Sequence, residues 1–175
     1  ILKNDANEFD TISKYNVSTF FQNLIKNKQF SIIEFLIDSK KIETDLYEYE
    51  SYSNTIFPVL FKSLNTDDDS IAFLSSFLSK LDNIDETVEN KTLLEFAFDS
   101  NATISVIKEL INSGCSVTYK DNYENTYLHS ILKKYALKGE VLKEYVQLLI
   151  DEGIDVNSEN KGKPIAAVKA ITFSK

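Results

Sequence analysis

The sequence predicts an all-α repeat protein, built as a stack of helix-turn-helix units that are joined by hairpin-like finger loops. Three observations lead to this prediction. Residues suited to a helix start recur every 34 to 37 positions, apolar residues follow each of them at helical spacing, and polar loops lie between the units. A sequence period in this range is typical of solenoids. We therefore predict about four full repeats with partial repeats at both ends.

The first helix of each unit is marked by its opening residue. These residues are Thr19, Thr55, Thr92, Thr126 and Lys163, with spacings of 36, 37, 34 and 37 residues. Threonine suits this place because its hydroxyl satisfies backbone N–H groups that are left free in a first helical turn. The segment Pro164–Ile171 predicts the first helix of the last unit, with proline in its first turn. We interpret residues 1–175 as a single domain and expect it to be part of a longer chain, because the repeat pattern is cut at both ends.

A second helix follows in each unit and is marked by one apolar stripe at spacings of three and four residues. The stripes are Phe30, Ile33, Ile37; Phe73, Leu74, Phe77, Leu78, Leu81; Ile104, Ile107, Leu110, Ile111; and Val141, Tyr145, Leu148, Leu149. Gly114 and Gly153 then suit the left-handed turn that ends a helix. Lys40 and Leu81 hold the matching positions of the earlier units, so we expect those two helices to end differently.

Polar loops between the units are expected to turn back as short fingers with little strand. They span 43–54, 82–91, 118–125 and 157–162. The first loop is the longest and carries Tyr47, Tyr49 and Tyr52 between acidic residues. Exposed tyrosines supply rigid, amphipathic contact area and are enriched at interfaces. The open alternative is that this loop folds onto its own repeat and buries the three rings.

These residues resemble the ankyrin repeat family, whose unit combines an Asp, a loop glycine, the run Thr-Pro-Leu-His and a second helix that ends Leu-Leu before a glycine. The matching residues are Asp121, Thr126, Leu128, His129, Leu148, Leu149, Gly153, Val156 and Asn157. The unit that opens at Thr92 is nearly as clear, and the two N-terminal units are degenerate. Glu124 stands where the family has the loop glycine, and Tyr127 where it has the proline. We therefore expect irregular fingers and uneven stability along the stack.

The resemblance implies a curved solenoid in which each unit contacts only its neighbours. It also implies that the concave side, made of first helices and finger tips, is the binding surface, and that His129 bonds Thr126 and a neighbouring loop. For contact with a partner we predict Tyr47, Tyr49, Tyr52, Tyr119, Asn122, Tyr123 and Lys133. For Lys133 the alternative is a solvated helix end.

Charge narrows the class of partner. The net charge of −8 disfavours nucleic acid, because phosphate binding needs a basic face. It disfavours anionic membrane surfaces for the same reason, and no apolar run is long enough to span a bilayer. We therefore expect another protein with basic patches as the partner, and a monomer. The single cysteine excludes an internal disulfide, which fits an intracellular protein.

The sequence shows no catalytic constellation, so we predict no catalytic residue, no cofactor and no metal. His129 is the single histidine, and the adjacent Ser130 cannot face it on a helix. Cys115 follows Gly114 in a segment without positive charge, which predicts a small buried residue and no reactive thiol. The run 67–69 is acidic, but a calcium loop that starts there would lack its glycine and its twelfth-position glutamate. We predict instead that this run caps a helix.

The leading functional hypothesis is a non-enzymatic domain that binds another protein. One alternative is a targeting or regulatory segment of a larger enzyme or effector protein, and the full reading frame would decide between the two. Another alternative is a structural array that self-associates through an exposed end repeat, which light scattering at several concentrations would test.

Overall fold

The structure is a computed structural model that describes residues 14–38, 57–64, 66–87, 90–133, 139–161 and 163–164. Within these ranges the chain forms eight helices and one short β-pair. The elements are α1 Lys14–Lys26, α2 Phe30–Asp38, α3 Phe57–Ser63, α4 Asp68–Leu78, α5 Leu93–Asp99, α6 Ile104–Asn112, α7 Tyr127–Lys133, α8 Glu140–Asp151, β1 Glu159–Asn160 and β2 Lys163–Pro164. The predicted all-α class is thereby confirmed.

The helices lie in two rows. The first-helix row consists of α1, α3, α5 and α7, which pack side by side in this order, and in the second-helix row α6 packs between α4 and α8. Aromatic rings join successive units: Phe30 stacks on Phe73 with 4.3 Å between ring centroids, and Phe98 lies 5.7 Å from Tyr127. Because each unit buries apolar surface against the next, the core is continuous along the stack.

Helix starts follow the predicted capping chemistry where the structure describes them in the middle of the chain. Thr92 caps α5 in a capping box: its hydroxyl accepts from the Glu95 N–H at 3.2 Å, and the Glu95 carboxylate accepts from the Thr92 N–H at 3.0 Å. Asp67 caps α4 and accepts from the Ser70 N–H at 3.0 Å, as predicted for the acidic run. A hydrogen bond from Lys28, followed by the bond from Ser70, lowers the pKa of Asp67 to about 2.

Two predicted helix openings are wrong. Thr19 lies inside α1, which begins at Lys14; the intervening residues include no glycine or proline that would delay the helix. Lys163 and Pro164 lie in β2, which pairs antiparallel with β1. Proline has a fixed φ that fits an extended segment, and it can take the end of a two-residue strand without breaking the pair. The predicted opening at Thr55 and the remainder of the predicted helix 164–171 lie outside the described residues.

Helix ends confirm the predicted glycine stops. Gly114 and Gly153 have φ values of 107° and 85°. The next N–H in each case returns to the carbonyl five residues back: Cys115 to Leu110 and Ile154 to Leu149, both at 3.0 Å. This pattern is a Schellman motif. Helix α4 ends differently, as predicted, because Leu81 closes onto Leu78 by a shorter-range bond of 3.1 Å.

The described residues of the apolar stripes are buried or partly buried, except Val141. In α8 the buried residues are Leu142, Tyr145, Leu148 and Leu149, whereas Val141 is exposed. Counted back from its glycine, α8 begins three residues earlier than α6. The first turn of α8 therefore extends past the start of α6, and Val141 in this turn is exposed.

The finger loops share one strained backbone position. Asn90, Glu124 and Lys161 have φ values of 62°, 63° and 34°, and each lies two residues before a predicted helix-opening residue. This is the place of the family's loop glycine. Residues other than glycine are disfavoured at such φ values because Cβ approaches the backbone. Glu124 predicts an irregular finger, but its backbone keeps the positive φ that suits the family's glycine.

Replacing Glu124 with glycine is expected to raise the free energy of unfolding by about 0.5–1 kcal/mol, because relief of the strained φ outweighs the added freedom of the unfolded chain. Asn122, in the same finger, does not have positive φ. Its replacement by glycine should leave stability unchanged or lower it. Urea unfolding followed by far-UV circular dichroism measures both effects, and equal shifts for the two variants would contradict the assignment.

No helix among the described residues is both long and apolar enough to cross a membrane.

Candidate functional site

Four of the seven predicted contact residues lie in the described part of the chain. Tyr119, Asn122 and Tyr123 are in the finger 118–125, and Lys133 ends α7. Tyr47, Tyr49 and Tyr52 lie outside the described residues. The candidate site is therefore built around one finger, the described residues 157–161 of the next finger, and the first helices below them.

Asp121 holds the finger 118–125 in shape. Its carboxylate accepts hydrogen bonds from the backbone N–H groups of Tyr123 and Asn125, both at 2.8 Å, and from the Asn125 side chain at 2.7 Å. Burial acts to raise the pKa of Asp121, but these bonds and the charge of Lys133 outweigh it, so the pKa is lowered. The finger thus has a fixed backbone that depends on an ionised carboxylate.

Tyr123 stands at the tip of this finger. Its side chain is 68% exposed, and the Nζ atom of Lys161 lies 5.2 Å from its ring centroid. An ammonium group over an aromatic face contributes about 0.5–1 kcal/mol at an exposed site. Asn122 beside it is also exposed. The tip therefore presents a large aromatic surface that contacts the neighbouring finger through Lys161.

Asn125 links two fingers and a helix below the tip. Its side-chain oxygen accepts from Lys133 Nζ at 2.9 Å and from Asn160 Nδ2 at 2.6 Å. In the preceding unit Lys91 and Asp99 occupy the equivalent two positions and form an ion pair. Each of these units therefore connects the base of its finger to the end of its first helix, by different chemistry. Lys133 remains exposed at the surface.

Tyr119 is less exposed than the tip. Its ring lies 6.0 Å from that of Tyr127, and its hydroxyl donates to the Asn90 carbonyl at 3.5 Å. Burial raises its pKa, with nearby carboxylates acting in the same direction. Tyr119 thus spans from its own finger to the preceding one and offers only part of its ring to a partner.

A cleft of about 340 Å³ opens between α5 and α7 under the fingers. Glu95, Asp99 and Asp121 line it on the acidic side, and Lys91 and Lys133 on the basic side. Most of these charges are engaged by neighbours: Glu95 in the capping box, Asp99 with Lys91, and Asp121 with its own finger. The cleft is therefore polar and preformed.

His129 plays a structural part. Its Nδ1 atom accepts from the Thr126 N–H at 3.0 Å and lies 2.7 Å from the Thr126 hydroxyl, which confirms the predicted bond to Thr126. His129 holds the position that Glu95 holds in the preceding unit. There the Glu95 carboxylate accepts from the equivalent Thr92 N–H. An Nδ1 atom that accepts this bond carries no proton, so the neutral ring is protonated at Nε2.

The other ring nitrogen of His129 has no hydrogen-bond partner within the described residues, and the same holds for the buried Ser158 hydroxyl of the next unit. The predicted bond to a neighbouring loop is therefore not seen among those residues. Burial lowers the pKa of His129, and the charge of Lys133 lowers it further. The imidazole is fully buried among the described residues.

Cys115 is buried as predicted. Burial, with a smaller effect of Asp85, raises the pKa of its thiol to about 12, so almost none of it is thiolate at neutral pH. Among the described residues no three His, Cys, Asp or Glu side chains are grouped in a way that would hold a metal ion.

Sequence reasoning missed Asn125, Asn160 and Lys161, which connect the two fingers. The repeat spacing contains the signal. Residues one period apart lie side by side in a stack, and Asn125 and Asn160 are 35 positions apart. The hydroxyls of Thr92 and Tyr127, also 35 positions apart, lie 2.8 Å from each other.

Comparison with curated proteins finds a relative in Acanthamoeba polyphaga mimivirus that is named as an ankyrin repeat protein. It is 40% identical over 88 residues, which cover 48% of this chain and 52% of the relative. The chain thus spans about half the length of the curated relative that it matches. No protein-family model matches the chain. The resemblance to the ankyrin repeat family is confirmed by this relative, and ankyrin repeat proteins are in general non-enzymatic modules of protein–protein interaction.

Proposed function

We propose, on the premise of this kinship with ankyrin repeat proteins, that the chain binds another protein through its finger tips and the inner face of its first-helix row. The contact residues are those that the sequence predicts: Tyr47, Tyr49, Tyr52, Tyr119, Asn122, Tyr123 and Lys133. The protein acts as a monomer and uses no cofactor. The proposal extends to a curved solenoid whose concave side is this face.

The single observation that carries the proposal is the state of Tyr123. A tyrosine with 68% of its surface exposed is normally free to move. Here the finger backbone is held by Asp121, and the ring lies under the ammonium group of Lys161. A ring that already has a neighbour on one face loses less conformational entropy on binding than a free side chain, and tyrosine is enriched among interface hot spots.

Asn122 and Lys133 extend this contact. Asn122 adds an adaptable hydrogen-bonding group next to the aromatic ring. Lys133 uses one donor on Asn125, which leaves its remaining donors for carbonyl or carboxylate groups of a partner. The cleft between α5 and α7 lies next to Lys133 and supplies the shape into which a partner side chain fits.

Replacing Tyr123 with alanine is expected to weaken partner binding by about tenfold or more, since a hot-spot residue contributes about 2 kcal/mol. The melting temperature should stay within about 1–2 °C of the wild type, because an exposed side chain contributes little to stability. The partner is first isolated by pull-down with the domain and identified by mass spectrometry. Binding is then measured by isothermal titration calorimetry.

Phe35 in α2 supplies the matched control, because its side chain is 67% exposed and belongs neither to a finger nor to a first helix. Its replacement by alanine should leave the affinity unchanged. The proposal fails if Phe35→Ala weakens binding as much as Tyr123→Ala. It also fails for Tyr123 if that variant melts far below the wild type, because the ring would then belong to the core.

A further inference from the structure

Five residues close a ring of contacts between the finger that carries Tyr123 and the described part of the next finger. Asp121 accepts from the Tyr123 N–H at 2.8 Å and from the Asn125 side chain at 2.7 Å. The side-chain oxygen of Asn125 accepts from Asn160 at 2.6 Å. Lys161 follows Asn160 in the chain, and its Nζ atom lies 5.2 Å from the centroid of the Tyr123 ring. The ring of contacts therefore begins and ends at the finger tip.

Asn125 joins the two fingers through a buried amide. Its Nδ2 atom donates to the Asp121 carboxylate, and its Oδ1 atom accepts from both Lys133 and Asn160. A carboxylate needs a donor and an ammonium group needs an acceptor, so an amide, which has one side of each kind, fits between them. Exchange of the two amide atoms would turn the NH₂ group toward Lys133. The neighbours of Asn125 thus fix the orientation of its amide.

The short β-pair holds Asn160 from the other side. Asn160 pairs with Lys163 in the antiparallel register of β1 and β2, and Lys161 follows it directly. Consecutive Cα atoms lie about 3.8 Å apart, so a displacement of Asn160 carries the backbone of Lys161 with it. The bond between Asn125 and Asn160 therefore sets where the ammonium group of Lys161 lies relative to the Tyr123 ring.

We propose that Asn125 is a positioning residue of the finger-tip site. It fixes the register between two adjacent fingers, so that Tyr123 and Lys161 present one composite surface to the partner. The partner then contacts two units at once, with an apolar group on the Tyr123 ring and an acceptor group on the exposed Lys161 ammonium. This inference rests on the function proposed for the finger tips and adds a residue that acts on the partner only through its neighbours.

The register is measured on the full chain without a partner, by the ¹H shift of the Lys161 methylene group that is bonded to Nζ. Protons above an aromatic face are shifted upfield by the ring current, so Tyr123→Ala gives the size of the shift that Tyr123 causes. Asn125→Ala should lose most of this shift. Asn160→Ala should lose it as well while the bond between Asn125 and Asp121 stays in place, which keeps the test open if Asn125→Ala folds poorly. An unchanged shift in Asn160→Ala would overturn the proposal.

Asp99→Asn is the matched control for the register. It breaks the ion pair with Lys91 at the equivalent place of the preceding unit. Because this pair is not part of the ring of contacts, the variant should leave the Lys161 shift unchanged. A similar loss of the shift in Asp99→Asn would mean that any loosening of the first-helix row disturbs the fingers, and it would overturn a specific role for Asn125.

Affinity for the partner that the domain isolates by pull-down is then measured for the wild type, Asn125→Ala, Tyr123→Ala and the double variant. Asn125→Ala should weaken binding about two- to tenfold, the scale of coupling within one side-chain network. In the Tyr123→Ala background the same change should have a much smaller effect, because the ring that Asn125 helps to position is gone. Equal losses in the two backgrounds would contradict the positioning role.

The two measurements separate this inference from the function on which it rests. An unchanged Lys161 shift in Asn125→Ala and Asn160→Ala, together with weak binding by Tyr123→Ala, would overturn the role of Asn125 and leave the finger-tip site intact. A lost shift with unchanged affinity in both Asn125→Ala and Tyr123→Ala would overturn the finger-tip function, and the positioning role with it.

Discussion

Replacing Phe98 with alanine is expected to lower the free energy of unfolding by about 3–5 kcal/mol, the range for removal of a buried aromatic side chain. Phe98 is almost fully buried. Its ring lies 5.7 Å from that of Tyr127 and 5.3 Å from that of Tyr145. Phe98 therefore joins the unit of α5 and α6 to the unit of α7 and α8. Its removal leaves a cavity and ends the contacts of α5 with both tyrosine rings. A loss of this size is a large part of the stability of a typical domain.

Urea unfolding followed by far-UV circular dichroism measures this loss. The control is Phe35→Ala, which removes the same side chain from an exposed position and should change stability by less than about 0.5 kcal/mol. Similar losses in the two variants would show that Phe98 does not join adjacent units. A broadened transition in Phe98→Ala would fit the picture of units coupled only to their neighbours.

Acidification from about pH 7.5 to about pH 5 is expected to destabilise the protein through His129. Burial lowers its folded pKa, whereas the unfolded residue titrates near its ordinary value of about 6.5. Below that value the unfolded chain binds a proton that the folded chain does not bind. The contribution of His129 to stability is therefore fully present above about pH 6.5 and is lost as the pH falls toward the folded pKa.

The variant His129→Ala identifies the source of this pH dependence. Because His129 is the single histidine, the variant should show little change in stability between these pH values. At neutral pH it should be less stable by about 1–3 kcal/mol, because the buried Thr126 N–H loses its acceptor. Asp67 and Asp121 have lowered pKa values, so their contributions are lost only in more acidic solution. An unchanged pH slope in the variant would refute the role of His129.

The repeat pattern predicts the middle of the chain well because local and tertiary requirements agree there. Thr92 and Thr126 precede first helices, and Gly114 and Gly153 end second helices, since each satisfies a backbone need that is local in sequence. A capping group contacts residues within one turn. Such features can be found from spacing alone.

The pattern fails at two of the predicted helix-opening positions. Lys163 matches the repeat spacing but pairs with Asn160 in a strand. Thr19 matches it as well but lies within a helix that starts earlier. The spacing of helix-opening residues does not show which segment will find a pairing partner, so these two assignments could not be made correctly from the pattern.

The sequence could predict which finger carries the candidate site, but not the contacts between its side chains. Tyr123 could be predicted as a contact residue because a tyrosine in a polar loop supplies aromatic surface, and the structure shows that it is exposed. Its partner Lys161 was not found, because a lysine in the next finger acquires meaning only when the register between fingers is known. The same holds for Lys133, whose bond to Asn125 depends on the distance between the base of the finger and the end of α7.

The central claim is that the helical pairs lie side by side, so that α1 is separated from α7 by α3 and α5. The most direct test is electron–electron double resonance between spin labels at Lys26→Cys and Lys133→Cys, two exposed positions at the ends of α1 and α7, in a Cys115→Ala background. Three helix-to-helix steps of about 8–10 Å predict a distance of about 24–30 Å. A distance of about 10 Å between the labels, as between directly packed helices, would mean that α1 and α7 share one compact bundle. This result would contradict the stacked arrangement.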